Sequence, residues 1–199
     1  MKKFELTNEF IANRFGTKLF RIRALVEFGD VEAGELGGYV EKESNLGHDD
    51  NAWVYDNAWV YGNARVYGDA QVSDDARVYD NALVCGNARV YGNAWVYGNA
   101  WVYGNAWVYG NALVCSDEDY AYAHGFGSVN RTTTFFRLKD GGVGVRCGCF
   151  YGTLAQFRDK IRETHGETKK AQEYLMLADL MELRFEEDEN EVGNRKYVE

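Results

Sequence analysis

The sequence contains no proline in 199 residues, where average usage near 5% would give about ten. Every turn must then be made by Gly, Asn or Asp, the residues that tolerate left-handed backbone angles. Histidine is nearly absent too, with His48, His124 and His165 the whole supply. A zinc site needs three or four convergent ligands, and imidazoles 76 and 41 residues apart form no registered cluster, so no metal is expected. Cys85, Cys115, Cys147 and Cys149 follow neither zinc-ligand spacing nor a secreted disulfide framework. They read as reduced thiols used as small packing residues, with Cys147 and Cys149 on one strand face.

Long apolar runs are also missing. Nothing approaches the 18 or so residues that span a bilayer, and the opening MKKFELTNEF lacks the apolar stretch of a signal peptide. A cytoplasmic protein without membrane contact is expected. Basic residues are in deficit, 22 Lys and Arg against 31 Asp and Glu for a net charge of −9. Direct nucleic-acid binding, which needs a basic stripe to displace counterions, is a poor match.

What is present is a repeat. Eleven hexapeptides run without a gap over residues 51–116, beginning NAWVYD-NAWVYG-NARVYG and closing NAWVYG-NALVCS. The first slot is always Asn or Asp, the second Ala and the fourth Val, and the sixth is Gly, Asp or a final Ser. All five tryptophans and eight of the fourteen tyrosines occupy the third and fifth slots. Ala-x-Val-x alternates with period two, which places Ala and Val on one face of a short strand. A helix would scatter the invariant Val around its circumference, because six is not a multiple of 3.6. The remaining pair, such as Gly-Asn, makes a corner.

Equal strands joined by equal corners close by winding into a coil, each strand pairing in parallel with the one a full turn away. With three sides per turn the period is 18 residues and the array makes about 3.7 coils, Val and Ala filling the axis. One side then carries Trp53, Gln71, Arg89 and Trp107; the second Trp59, Arg77, Trp95 and Leu113; the third Arg65, Leu83 and Trp101. Their rings are expected to face outward in ladders, with Arg77 between Trp59 and Trp95 as a cation–π sandwich.

The Val-x-Gly-Asn-Ala-x pattern resembles the hexapeptide repeat of the left-handed parallel β-helix superfamily, which includes acyltransferases and γ-class carbonic anhydrases. The left hand follows from that resemblance alone. The flanks LFRIRALVEFGDVEAGELGGYVEKESNLG (19–47) and TTTFFRLKDGGVGVRCGCFYGTLAQF (132–157) resemble phage and prophage hexapeptide-repeat proteins of the YdcK-like kind. The expected fold is mostly β: a single-stranded, left-handed, triangular parallel β-helix over 51–116, an N-terminal β cap over 1–50, and a C-terminal hairpin and two-helix cap over 117–199.

In the last region DYAYAHGFG keeps Tyr120, Tyr122, His124 and Phe126 on one side of an extended segment, and a hairpin turns at Asp140-Gly141-Gly142. Thr153 is suited to cap a helix ending at Gly166, with Leu154, Phe157 and Ile161 inward. A second helix from about Lys169 carries Tyr174, Leu177, Ala178, Met181 and Phe185 on a stripe expected to dock on the array. EEDENE (186–191) reads as a solvated tail.

Three functions are weighed. The first is a non-catalytic structural or binding module, a phage or prophage accessory protein that homo-oligomerises and engages a host factor or small ligand in the host-cell cytoplasm. Its binding residues would be Trp53, Trp59, Trp95, Trp101, Trp107, Tyr61, Tyr79, Tyr97 and Arg77, with no cofactor. The alternative, implied by the superfamily resemblance, is an acyltransferase using acetyl-CoA with His124 as general base. No loop interrupts the repeats to wall an active-site cleft, which favours the first. The third, an acidic rod mimicking DNA, finds only five Asp against three Arg in the repeats and no carboxylate ladder.

Overall fold

Three strands precede the repeats in the computed structural model, β1 (Phe4–Ala12), β2 (Lys18–Ala24) and β3 (Leu36–Val40). Eleven two-residue strands follow, one per hexapeptide, from β4 (Trp53–Val54) to β14 (Leu113–Val114). The structure describes residues 2–127 and 129–186. The corners are made by the sixth slot. Asp50, Asp56, Gly62, Gly68, Asp74, Asp80, Gly86, Gly92, Gly98, Gly104 and Gly110 all take φ between 52° and 74°, the left-handed region open to Gly and, at some cost, to Asp. The series ends at Ser116, which is extended and caps a short 3-10 turn instead.

Parallel pairing follows the 18-residue period. Val54, Val72, Val90 and Val108 stack in register on the first side, Val60, Val78, Val96 and Val114 on the second, and Val66, Val84 and Val102 on the third. The result is a parallel β-solenoid of about four turns. All eleven Ala and all eleven Val of the repeats are fully buried in one continuous core.

The solenoid is polar along its axis. Each strand N–H donates to the carbonyl one turn later, as in Trp53 N to Ala70 O (3.1 Å), Arg65 N to Ala82 O (3.0 Å) and Tyr91 N to Val108 O (3.0 Å). The first turn therefore presents carbonyls without intra-coil donors, and the last presents N–H groups without acceptors, which buried backbone does not tolerate. The two ends meet opposite chemistry. At the start, Tyr39 N of β3 donates to Ala58 O and Glu41 N, just after the strand, to Val60 O, Lys3 Nζ donates to Asp50 O and Ala52 O, and Asn45 Nδ2 donates to Gly62 O and Ala64 O. At the finish, oxygen acceptors take over. Asp117 Oδ1 accepts from Trp101 N, Thr134 Oγ1 from Trp107 N, and Asp119 Oδ2 from the backbone N–H of Cys115 and Ser116.

Beyond the last turn, β15 (Tyr120–Phe126), β16 (Arg131–Arg137), β17 (Val143–Cys147) and β18 (Phe150–Thr153) form an antiparallel sheet in chain order. The β16–β17 hairpin turns at the expected residues, with Gly142 N donating to Asp140 Oδ1. Thr153 and Gln156 form a capping box for α1 (Leu154–His165), which stops at Gly166 (φ 56°). Then α2 (Lys169–Phe185) follows, capped by Thr168.

Two expectations fail here. The α2 stripe does not dock on the array; Tyr174, Ala178, Met181 and Phe185 pack with α1 and with Phe135 and Val145. The sheet stands between, its other face giving Phe136 and Tyr120 to the solenoid core, because alternate residues of a strand serve opposite faces. Cys147 and Cys149 do not share a strand face either, since Gly148-Cys149 is the turn of a further hairpin, with Cys147 opposite Phe150. Apart from Glu186, the acidic run 186–191 lies outside the described residues. No helix among the described residues is long and apolar enough to cross a membrane.

Candidate functional site

Side chains that point away from the axis meet every turn, 18 residues apart, so like residues stack. On the second side Tyr61, Tyr79 and Tyr97 stack with nearly parallel rings, with centroids 5.0 and 5.1 Å apart and interplanar angles of 3° and 8°. Beside them Arg77 lies 4.3 Å from the Trp59 ring and 5.3 Å from Trp95, the expected sandwich. Lys139 Nζ extends it, 4.1 Å above Trp95. Burial raises the pKa of Tyr61 and Tyr79, and burial followed by the neighbouring Arg77 charge lowers that of Lys139.

This ladder forms one wall of a cleft of about 510 Å³ whose other wall is the β1–β2 hairpin tip. The tip is braced from within. Asn13 Oδ1 accepts from Phe15 N (2.9 Å) and Thr17 N (3.0 Å), and the Asn13 backbone closes the loop with Thr17 O and Gly16 N. Outside the brace stand Arg14 and Phe15, the latter 72% exposed, with the guanidinium 4.8 Å from the phenyl ring.

A second cleft, of about 590 Å³, opens where the first side meets the C-terminal sheet. Asn87, Arg89, Asn105 and Trp107 come from the solenoid, His124, Arg131 and Thr132 from β15 and β16. His124 Nδ1 lies 3.0 Å from Thr132 Oγ1. Among the described residues no group of three His, Cys, Asp or Glu is placed to hold a metal ion.

The YdcK β-solenoid repeat model matches the chain at residues 58–74, 70–86, 84–98 and 96–110. The chain carries β-solenoid repeats of the YdcK type. All the matched residues lie inside the hexapeptide array, and the flanking stretches that suggested the same kinship fall outside them. No curated protein matches the chain.

The YdcK-type repeats distribute the expected binding residues unequally. Trp59, Arg77, Trp95, Tyr61, Tyr79 and Tyr97 do gather on one wall. Trp107 lines the other cleft together with His124, its ring 5.3 Å from the Arg89 guanidinium and 5.5 Å from that of Arg146. Trp101 stands half-exposed on the third side, its Nε1 donating to Cys85 Sγ. Trp53, expected to face outward, is 0% exposed. It lies in the first turn, where Phe28 (5.3 Å) and Phe4 (6.2 Å) of the N-terminal region close over it edge-on.

Residues outside the expected binding set complete both clefts. Arg14, Phe15 and Lys139 border the ladder, and Arg89 and Arg131 border His124. The one available signal was NRFG (13–16), an Asn-to-Gly turn between two strand-like stretches carrying a cation and a ring.

Proposed function

We propose that the protein is a non-catalytic binding module that takes a protein partner at the Arg14–Phe15 tip, with the Trp–Arg–Tyr ladder as the adjoining wall. The observation that carries this reading is the exposure of Phe15 on a hydrogen-bonded tip. A rigid aromatic beside an arginine is the pairing that dominates protein interfaces, because little side-chain entropy is lost on contact. A flat sugar or other planar ligand is less suited to the ladder. Its tyrosine faces are turned on one another, leaving edges and hydroxyls outward.

A phage or prophage accessory role, engaging a host factor in the cytoplasm, is the specific form of the proposal, supported by the resemblance of the flanks. Self-association belongs to it as well. Met176, Leu180 and Leu183 lie three and four residues apart on α2, exposed at 70%, 55% and 67%, an apolar stripe opposite the one that docks.

Affinity capture from host lysate tests the partner reading. Bands retained by the wild type are expected to disappear with Phe15→Ser and with Arg14→Glu, and an unchanged pattern in both variants would reject the tip as the binding surface. Light scattering tests self-association, with Leu180→Glu expected to yield a smaller species than the wild type.

The acyltransferase alternative has one observation in its favour, the position of His124 in a cleft against the solenoid. In the tautomer whose Nδ1–H donates to Thr132 Oγ1, Nε2 would be the base that takes a proton from an acyl acceptor, acetyl-CoA being the donor. Acetyl-CoA-dependent thiol release abolished by His124→Ala would establish it.

A further inference from the structure

The second cleft assembles cations in a protein that is otherwise acidic. Among the described residues its lining includes the cations Arg89 and Arg131, with His124 beside them, and no Asp or Glu, although the chain carries nine more acidic than basic residues. Neither arginine has a carboxylate within 4 Å among the described residues, whereas Arg23, Arg137 and Arg158 each do. Unpaired guanidinium groups facing one space raise the local potential and attract anions.

Neutral donors surround the same space. At the neighbouring corner Asn63, Asn81 and Asn99 bond one another through their carboxamides. Asn87 and Asn105 stand equally one turn apart, yet among the described residues their side chains make no such bond, and both border the cleft. Gly148 completes the arrangement from the β17–β18 turn. Its φ of 59° suits glycine, and a Cβ there would fall on the Arg131 guanidinium. Arg131 therefore lies across a position that only glycine leaves open.

We infer that this cleft binds a phosphate group, carried on a small organic molecule. Two guanidinium groups reaching in from the solenoid and the sheet suit the several acceptor oxygens of a phosphate dianion, which arginine can bind through paired parallel hydrogen bonds. Carboxamide and hydroxyl donors from Asn87, Asn105 and Thr132 can satisfy the remaining oxygens. The volume of about 590 Å³ lies within the range of small-molecule clefts, about 300–1,000 Å³, and leaves room beside the phosphate. Trp107 also lines that space, with the Arg89 and Arg146 guanidinium groups 5.3 and 5.5 Å from its ring. The inference rests on neither functional reading above.

Titration calorimetry at constant ionic strength tests it, with orthophosphate and glycerol 1-phosphate as probes on the full chain. Saturable binding is expected for the ester, weakened at least tenfold by Arg89→Gln and by Arg131→Gln and unchanged by Arg65→Gln, an exposed arginine on the third side. Tighter binding of the ester than of orthophosphate identifies the esterified ligand, and equal binding identifies free phosphate as the group recognised. All the substituted residues are exposed, and unchanged thermal midpoints would show that the variants fold. Absence of saturable binding by either probe, or an equal loss in Arg65→Gln, would overturn the inference.

Discussion

Phe135 and Phe136 are neighbours in sequence, both fully buried, and belong to different cores. Phe136 closes the end of the solenoid axis, while Phe135 meets Phe157 of α1 edge-on at 6.0 Å. One strand thus couples the repeat array to the helices. Truncating either ring should cost about 3–5 kcal/mol, with different local consequences. Hydrogen exchange on Phe136→Ala should show lost protection in the last solenoid turn around Val108 and Val114, and on Phe135→Ala in α1 and α2. The same pattern in both variants would mean that the two cores are not separable.

Asp119 and Arg137 form the buried pair at that junction, Arg137 Nε standing 3.6 Å from Asp119 Oδ1. Asp119 also receives the Cys115 and Ser116 N–H groups, and Arg137 Nη2 donates to Phe185 O at the end of α2. Removing one member of such a pair leaves a buried charge, so Arg137→Met should destabilise by about 3–5 kcal/mol in equilibrium unfolding. The double variant Asp119→Asn/Arg137→Met should lose less than the two single changes added together. Strict additivity would show that the charges do not interact.

Lys3 gives the stability a particular dependence on pH. Burial pushes its pKa down from 10.5 to about 8, with the nearby Asp50 and Asp49 charges opposing. Below pH 8 the amine is charged in both folded and unfolded states, and folding bears the cost of burying the charge. Between pH 8 and about 10 the folded state releases the proton first. This residue then adds stability as pH rises, by at most about 1.4 kcal/mol per unit. Urea unfolding at pH 7.0 and 9.5 should show the wild type gaining on Lys3→Met, and a pH-independent difference would refute this. Higher pH is unsuitable, because the raised pKa values of half-buried Tyr79 and buried Tyr120 make stability fall once unfolded tyrosines ionise near pH 10.

Arg77→Ala should cost about 0.5–2 kcal/mol by removing the cation from between Trp59 and Trp95. Intrinsic tryptophan fluorescence should change with it, and Arg77→Lys should restore part of both. A neutral Arg77→Ala would mean that the stacked rings hold the geometry without the charge.

The solenoid was legible because its determinants are local and repeated eleven times. Ala in the second slot and Val in the fourth name the inward face, and Gly or Asp in the sixth names the corner. The Arg77 sandwich followed from the period alone. Helices α1 and α2 were legible from Thr153, Gly166 and the apolar spacing. By contrast, the burial of Trp53, the sharing of one cleft by His124 and Arg89, and the position of Arg14 and Phe15 beside the ladder join residues that no period relates.

The amino-acid sequence by itself determined the period, the axis, the corners and the residues that stack along each side, since each depends only on neighbours or on a fixed offset of 18. Tertiary structure alone decided which outward rings stay outward, which face of the C-terminal sheet seals the coil, and which cations share a cleft. Those outcomes depend on how two irregular caps satisfy an axially polar array, with donors needed at one end and acceptors at the other. Caps of many sequences could supply such groups, so the requirement is visible in the repeats while its solution is visible only in the fold.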